Sequence, residues 1–192
     1  MRRTDSRFLL AVALLVLPAL LVGCAGSRKA SKGRFANGWF VQQVPIASAS
    51  GERTLTVRYK AGQPGSGWNA APGGPGDFAL FHERLGTTLY ADTSCGARFD
   101  DAPLSALANH LTVGFTDVQI DDRQDLTLAG RAALERRIRA RLDGVPVQLA
   151  VTVLKKGPCV FDVVAIGPDG DWTEGLAAYG VFRDGFDARV DG

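Results

Sequence analysis

Arginine is concentrated in one short stretch of the chain, at positions Arg136, Arg137, Arg139 and Arg141. On a β-strand, alternate residues share a face, so Arg137, Arg139 and Arg141 would lie together and could bind a phosphate or a carboxylate. On a helix, the same side chains would form a solvated face. Both interpretations stay open, and the three arginines are candidate partner-contact residues.

A second candidate contact residue, Trp68, lies in the middle of a segment that cannot form a regular element. Residues 62–76 contain six Gly and three Pro, which predicts a long loop. Loops on rigid scaffolds often carry function, and exposed aromatic side chains often anchor partners. Trp68 could equally fold back over the core. We predict that it contacts a partner.

The chain carries no catalytic motif that we can identify. It has no Gly-x-Ser-x-Gly turn and no phosphate loop, and neither His82 nor His110 lies near a cysteine at zinc-ligand spacing. With 192 residues, 46% hydrophobic and 22% charged, the composition suits one soluble domain. We expect a non-catalytic interaction or assembly module with no cofactor and no metal. The alternative is a small-ligand-binding or enzymatic domain with a cleft under the 62–76 loop.

The N-terminus has the pattern of a targeting segment. Three arginines in residues 1–7 precede the uncharged run 8–22, whose 15 residues are shorter than the roughly 20 that a membrane-spanning helix needs. The run ends in Leu21-Val22-Gly23-Cys24, which resembles the lipobox of bacterial lipoproteins. The resemblance implies that residues 1–23 are a signal peptide and that Cys24 becomes the lipidated first residue of the mature chain. The alternatives are an ordinary secretory signal or an uncleaved anchor.

Residues 24–37 then form a predicted basic tether, and residues 38–192 a single domain. Removing residues 1–23, with three Arg and one Asp, leaves a neutral chain, so a nucleic-acid partner is not expected. We expect a membrane contact through the N-terminal lipid and an unidentified envelope protein as partner. In lipoproteins of diderm bacteria, Asp after the lipidated Cys often marks inner-membrane retention. Ala25 therefore favours the outer membrane, facing the periplasm.

The other two cysteines, Cys95 and Cys159, form an even pair in an exported chain. We predict a disulfide between them, which would contribute about 3–4 kcal/mol on the chain-entropy model. Two buried thiols or a metal site are the alternatives.

Hydrophobic periodicity predicts strands at 54–60, 77–83, 87–93 and 159–166, separated by turns. A first helix is predicted from Asp101-Ala-Pro103, with an apolar stripe that runs from Leu104 to Phe115. A C-terminal helix should present Trp172, Tyr179 and Phe182 to the sheet and close the domain.

Residues 129–142 fit a helix by composition and a strand by alternation. Asp143-Gly144 follows directly, and residues 147–153 then alternate. Because Asp-Gly between two alternating runs is a strong hairpin signal, we predict two long strands here.

The predicted order of elements is strands, a helix, a three-strand meander and a C-terminal helix. This order resembles the PsbP-like α/β/α sandwich, in which two main helices flank an antiparallel sheet, and it implies an α+β fold. Residues 130–159 are also similar to a stretch of small uncharacterised envelope lipoproteins. PsbP-like domains act mostly as assembly or interaction modules, so the resemblance implies such a role and no catalytic residues.

Overall fold

The computed structural model describes residues 33–48 and 51–192. In chain order the strands are β1 (Arg34–Ala36), β2 (Trp39–Ser48), β3 (Gly51–Lys60), β4 (Asn69–Ala70), β5 (Phe78–His82), β6 (Thr87–Cys95), β7 (Phe115–Leu128), β8 (Arg131–Leu142), β9 (Val145–Lys156), β10 (Cys159–Pro168) and β11 (Asp187–Asp191). The helices are α1 (Leu104–His110) and α2 (Thr173–Asp184), and a 3-10 turn spans Ala97–Phe99.

The strands form two antiparallel sheets. One has four strands in the order β1-β2-β3-β11, and the other has seven in the order β4-β5-β6-β10-β9-β8-β7. Most neighbours in the larger sheet are consecutive in the chain and joined by tight turns. The exception is the pair of β6 and β10, which brings the two halves of the chain together.

The seven-stranded sheet is covered on both faces. We call the side that packs against α2 and the four-stranded sheet the core face, and the opposite side the α1 face. The core face buries Leu154, Phe161 and Val163 beneath Tyr179 and other residues of the main cluster. The α1 face buries Leu134, Val153 and Val160 beneath Ala108 and the leucines of α1. The predicted α+β class, with two helices flanking an antiparallel sheet, is confirmed, and the second sheet shares a layer with α2.

The strand prediction for 129–142 is correct, because the stretch forms β8. Asp143 and Gly144 connect it to β9 with φ values of 50° and 82°, as a two-residue hairpin with two left-handed positions requires. Exposed and buried residues alternate from Arg137 to Arg141, so here the arginines are solvated on the core face, and Ile138 and Ala140 are buried on the α1 face. Local turn chemistry thus outweighs the helix propensity of the Ala, Glu and Arg residues.

The first helix is shorter than its predicted stripe. It ends at His110, and Phe115 begins β7 instead of continuing the apolar face. Gly114, with a φ of 93°, turns the chain out of the helix. Pro103 precedes the helix without a side-chain cap, so Asp101 does not cap it.

The predicted tether contains a strand. Residues 34–36 form β1 and pair with β2 through a turn at Asn37-Gly38, whose φ values are 50° and 78°. Asn-Gly is a favoured pair for this turn, so ordered structure begins before residue 38. At the other end, α2 does not close the domain, since β11 follows it and pairs with β3.

Cys95 and Cys159 are directly opposite one another in β6 and β10, and a disulfide joins them as predicted. The bond lies at one end of the strand pair that connects the two halves of the chain. Next to it, Lys155 donates hydrogen bonds of 2.8, 2.7 and 3.1 Å to the carbonyls of Phe99, Asp100 and Ala102. These contacts fix the segment that leads into α1.

The start of α2 is held by an indole enclosed between two glycines. Trp172 is buried, and its Nε1 donates a 3.0 Å hydrogen bond to Thr87 Oγ1. A Cβ on Gly167 would lie 2.1 Å from Trp172 Nε1, and a Cβ on Gly175 would lie 2.0 Å from it. Only glycine leaves room for the ring at both positions.

We therefore expect Gly175→Ala to destabilise the domain by about 1–3 kcal/mol, because the added methyl group displaces Trp172 from Thr87. The matched control is Gly180→Ala in the same helix, where an added Cβ would meet nothing within 4 Å. This control should raise the free energy of unfolding by about 0.5–1 kcal/mol through helix propensity. Urea unfolding of both variants measures the difference, and equal effects would show that the indole is not confined.

Candidate functional site

A shallow, open groove of about 320 Å³ lies between the 62–76 loop and α2. Its wall on the loop side comes from Pro64, Ser66 and Trp68, and its floor and far wall come from the β5–β6 turn and α2. The residues of that second group are His82, Arg84, Leu85, Glu174, Ala177, Ala178 and Val181. The groove lies where the sequence suggested a cleft under this loop.

Two glycines determine how the loop leaves the fold. Gly62 N donates a 2.9 Å hydrogen bond to Phe182 O at the end of α2. A Cβ on Gly62 would lie 2.0 Å from Val181 O, and a Cβ on Gly185 would lie 2.4 Å from Gly62 Cα. The two backbones therefore touch, and the loop must run along the side of α2.

Trp68 reaches the groove from the loop and is half-buried. Its ring packs edge-on against His82, with ring centroids 5.3 Å apart, and it also touches the main core cluster. Gly67, at a φ of 84°, allows this approach, because a Cβ there would lie 2.4 Å from His82 Nε2. One side of the indole contacts the core and the other lines the groove, so contact of Trp68 with a partner stays a prediction.

The rest of the groove combines one ion pair with exposed apolar surface. Arg84 and Glu174 form two hydrogen bonds across the rim, and both side chains are about two-thirds exposed. Glu174 raises the pKa of Arg84, and Arg84 lowers the pKa of Glu174, so each side chain favours the charged form of the other. Val181 is 50% exposed beside them. The rim is thus electrically neutral, and the apolar surface is available for contact.

The three candidate arginines of β8 do share one exposed face, but all have acidic neighbours. Arg139 forms two 2.8 Å hydrogen bonds with Asp121, and Arg141 lies 3.2 Å from Asp117. Arg137 lies 3.9 Å from Glu135. Exposed pairs of this kind contribute little stability, and they neutralise the charges that a phosphate would need.

A buried network that we did not predict lies beside this face. Glu135 is 2% exposed, and it accepts hydrogen bonds from Arg183 of α2 and from Thr152 Oγ1. The Tyr179 hydroxyl lies 2.5 Å from Thr152 Oγ1, and burial raises the pKa of Tyr179. The network connects α2 to the sheet. No local motif signals it, because the β8–β9 hairpin supplies Glu135 and Thr152 while the distant helix α2 supplies Tyr179 and Arg183.

Asp77 connects the two sheets. Its Oδ2 accepts hydrogen bonds from Gln42 Nε2 at 3.0 Å, from Thr93 N at 3.1 Å and from the Tyr59 hydroxyl. Desolvation raises the pKa of Asp77, and the three hydrogen bonds partly oppose that rise. The same environment raises the pKa of Tyr59. We assign these residues a structural role.

Asp92 and Asp162 are directly opposite one another in β6 and β10, on the α1 face. Desolvation and then Asp92 raise the pKa of Asp162 to about 7, and desolvation and then Asp77 raise the pKa of Asp92 to about 6. Burial followed by the two carboxylates raises the pKa of the neighbouring Tyr90 to about 12. The negative charge of Asp92 thus acts directly on its cross-strand neighbour Asp162.

Cys24 lies outside the described residues, so the structure does not test its lipidation. Within residues 33–48 and 51–192, no helix has the length and hydropathy of a membrane span. In the same ranges, no group of three or more Cys, His, Asp or Glu could hold a metal ion. His110 is exposed at the end of α1.

No family model matches the chain, and no curated protein matches it. Among solved structures, LpqN, described as involved in cell envelope biogenesis of Mycobacterium tuberculosis, matches with a TM-score of 0.53 at 14% identity, over 77% of this chain and 91% of LpqN. The PsbP protein of the cyanobacterium Synechocystis gives a TM-score of 0.47 at 13% identity, over 88% of this chain and 99% of that protein. A Pseudomonas aeruginosa protein of unknown function gives 0.42 at 15% identity, over 72% of this chain and 91% of its own. The likeness to LpqN shows a shared fold.

The pair formed by Asp92 and Asp162 predicts how the stability of the domain depends on pH. The folded-state pKa values of Asp92 and Asp162 lie above the unfolded value of about 3.9, so the folded state keeps protons that the unfolded state releases. Their contribution to stability is therefore complete below about pH 4 and is lost as pH rises through about 6–7. We expect the melting temperature to fall between pH 5 and 8 for this reason.

Asp162→Asn should flatten that fall and raise the free energy of unfolding at pH 8 by at least about 1 kcal/mol, the scale of one pKa unit. The matched control is Asp121→Asn, because Asp121 is exposed and Arg139 lowers its pKa. The control should give no gain at pH 8. An Asp162→Asn profile parallel to that of the unsubstituted chain would contradict the assignment.

Proposed function

We propose that the chain is a lipid-anchored lipoprotein of the cell envelope, whose domain binds a protein partner through the groove and performs no catalysis. The observation that carries the proposal is the groove itself, where the Trp68 indole and the exposed side chain of Val181 lie beside a self-neutralised ion pair. The shared fold with LpqN, which is described as involved in envelope biogenesis, agrees with an envelope role.

The shape of the groove favours a protein segment over an enclosed small molecule. Sites for small ligands bury most of the ligand surface, whereas this groove is shallow and open along one side. The occupant that fits is a segment that places an apolar side chain between Trp68 and Val181. A lipid anchor would keep the domain near its partners, so that a modest contact area is sufficient.

The lipid anchor is tested at Cys24. When the full chain is expressed in a diderm bacterium with a labelled fatty acid, we expect the label on the unsubstituted chain and none on Cys24→Ser. The unsubstituted chain should also stay with the membrane after a carbonate wash, and the variant should not. Equal labelling of both chains would contradict lipidation, whatever the groove binds.

The groove is tested by site-specific crosslinking. A photoreactive amino acid at position 181 should give a discrete protein adduct in intact cells. Trp68→Ala should remove most of it, because loss of a central interface tryptophan costs about 2 kcal/mol or more, roughly a 30-fold loss of affinity. We expect only a small fall in melting temperature, since Trp68 is half-buried.

Trp39→Ala is the matched control. Trp39 is also half-buried, but it contacts Lys60 and Arg189 on the four-stranded sheet, away from the groove. It should leave the adduct at position 181 unchanged. An adduct that persists in Trp68→Ala, or unfolding of that variant, would show that Trp68 is not the contact residue.

A second candidate function is the binding of a small ligand in the same groove. The volume of about 320 Å³ is at the lower limit for such sites, and His82 supplies a polar group beside the Trp68 ring. Native mass spectrometry of chain purified from the envelope separates the two functions. A bound small molecule that Trp68→Ala removes would favour this alternative.

A further inference from the structure

Glu135 and Arg136 are consecutive residues of β8 and point to opposite faces of the sheet. Both side chains are buried, with 2% and 6% exposure. Glu135, on the core side, has guanidinium groups from Arg183 and Arg137 within ion-pair distance. The charge of Glu135 is therefore balanced within the fold.

The charge of Arg136 is not balanced. Its Nη1 donates a hydrogen bond to the side-chain carbonyl of Asn109 on α1, and its Nε is buried without a hydrogen-bond partner. In residues 33–48 and 51–192, no carboxylate forms an ion pair with it. A buried charge without a counter-charge is costly, and native structures usually supply a partner.

A second positive charge, on the neighbouring strand β7, adds to the charge imbalance around Arg136. Arg123 of β7 is the direct cross-strand neighbour of Arg136, and like charges in this position destabilise a sheet. Desolvation, followed by the charge of Arg123, lowers the pKa of Arg136. Arg123 is more than half exposed; its guanidinium lies 3.8 Å from the Asp125 carboxylate, and its backbone N donates a 2.8 Å hydrogen bond to Asp122 Oδ1.

We propose that Arg136 and Arg123 form a phosphate-binding site on the α1 face, bounded by Asn109 of α1 and by the edge strand β7. Two adjacent guanidinium groups present several N–H donors in planar forks, which match the oxygens of a phosphate. Because Asp125 lies 3.8 Å from Arg123, the charge that lacks a counter-charge is that of Arg136. A tetrahedral phosphate offers oxygens to both guanidinium forks at once, whereas a planar carboxylate pairs with one fork. The ligand class is therefore a phosphate group, either free or as a lipid headgroup.

The test uses the full chain in a nonionic detergent, with inorganic phosphate as the probe and sodium acetate holding the ionic strength constant. With phosphate at about ten times its Kd, the melting temperature of the unsubstituted chain should rise by roughly 3–6 °C. Arg136→Met should lose this rise. Arg123→Met should lose most of it, and this variant keeps the test valid if Arg136→Met fails to fold, because Arg123 is exposed.

Arg131→Met is the matched control, since Arg131 is on the same strand, is exposed and donates a 3.2 Å hydrogen bond from its Nε to Lys155 O. It should keep the full phosphate effect. The proposal would be overturned if sodium acetate alone raised the melting temperature equally. It would also be overturned if phosphate still raised the melting temperature of both Arg136→Met and Arg123→Met.

A second arm identifies the source of the phosphate. Mixed micelles containing phosphatidic acid are compared with micelles containing phosphatidylcholine, again in the unsubstituted chain and in Arg136→Met. An Arg136-dependent rise with phosphatidic acid but not with inorganic phosphate assigns the site to a lipid headgroup. A rise with inorganic phosphate but not with phosphatidic acid assigns it to free phosphate, an Arg136-dependent rise with both supports a site that accepts the phosphate group from either source, and no Arg136-dependent rise in either arm overturns the proposal. Contacts of the basic N-terminal residues with anionic lipid cancel in this comparison.

Discussion

The backbone contact between Gly62 and Gly185 is the constraint on which the rest of the structure depends. The core face of the seven-stranded sheet is too wide for α2 alone, so α2 and the four-stranded sheet cover it together. The two covering elements meet where β3 ends and α2 ends, and there Gly62 N bonds Phe182 O. A side chain at either glycine would separate them and expose the core between them. The groove is a consequence of this junction, because a loop that leaves from Gly62 has to pass along α2.

Polar groups inside the fold fall into two kinds. Asp77 and Glu135 are each partnered on several sides, and both connect the seven-stranded sheet to the layer above it. Arg136 and the Asp92–Asp162 pair lie on the α1 face, and within residues 33–48 and 51–192 neither forms an ion pair with an opposite charge. Partnered buried groups specify how the layers fit together, whereas unbalanced ones destabilise the fold unless protons or ligands neutralise them. The core face is thus built for stability, and the α1 face carries the groups that respond to solution conditions.

Much of the fold could be predicted from local patterns, and the omissions have physical reasons. Asp143-Gly144 identified β8 and β9 despite the helical composition of residues 129–142, because a two-residue turn restricts the pairing of both strands. Strand β7 escaped detection because it is a sheet edge with both faces largely exposed, so its side chains show no alternation. Its connection to β8 uses Ala129-Gly130, and Ala is an unusual residue at a φ of 50°. Strand β11 is short and depends on β3, which is distant in sequence.

The candidate site was predictable only in part, because most of its residues come from elements that are distant in sequence. Composition alone places Trp68 in an irregular loop, but His82, Glu174 and Val181 reach the groove from elements up to about a hundred residues away. The like-charge neighbour of Arg136 depends on the register of β7 and β8, since the turn at Ala129-Gly130 places Arg123 opposite Arg136, and β7 was not predicted. In the sequence, Arg136 is one of four similar arginines, and only the alternation of β8 separates it from the other three.

The two proposed binding sites are separated by the seven-stranded sheet itself. The groove lies beside α2 on the core side, and Arg136 lies beneath α1 on the other side. Residues this far apart, with no shared partners, contribute to stability and binding almost independently. If both proposals hold, a partner in the groove and a phosphate at Arg136 would be bound together, and the loss of one would leave the other intact. If the domain is tethered at a membrane, this arrangement allows the α1 face to meet phosphate headgroups while the groove stays open to a protein. The charge imbalance at Arg136 would then favour orientations in which the α1 face approaches the anionic surface.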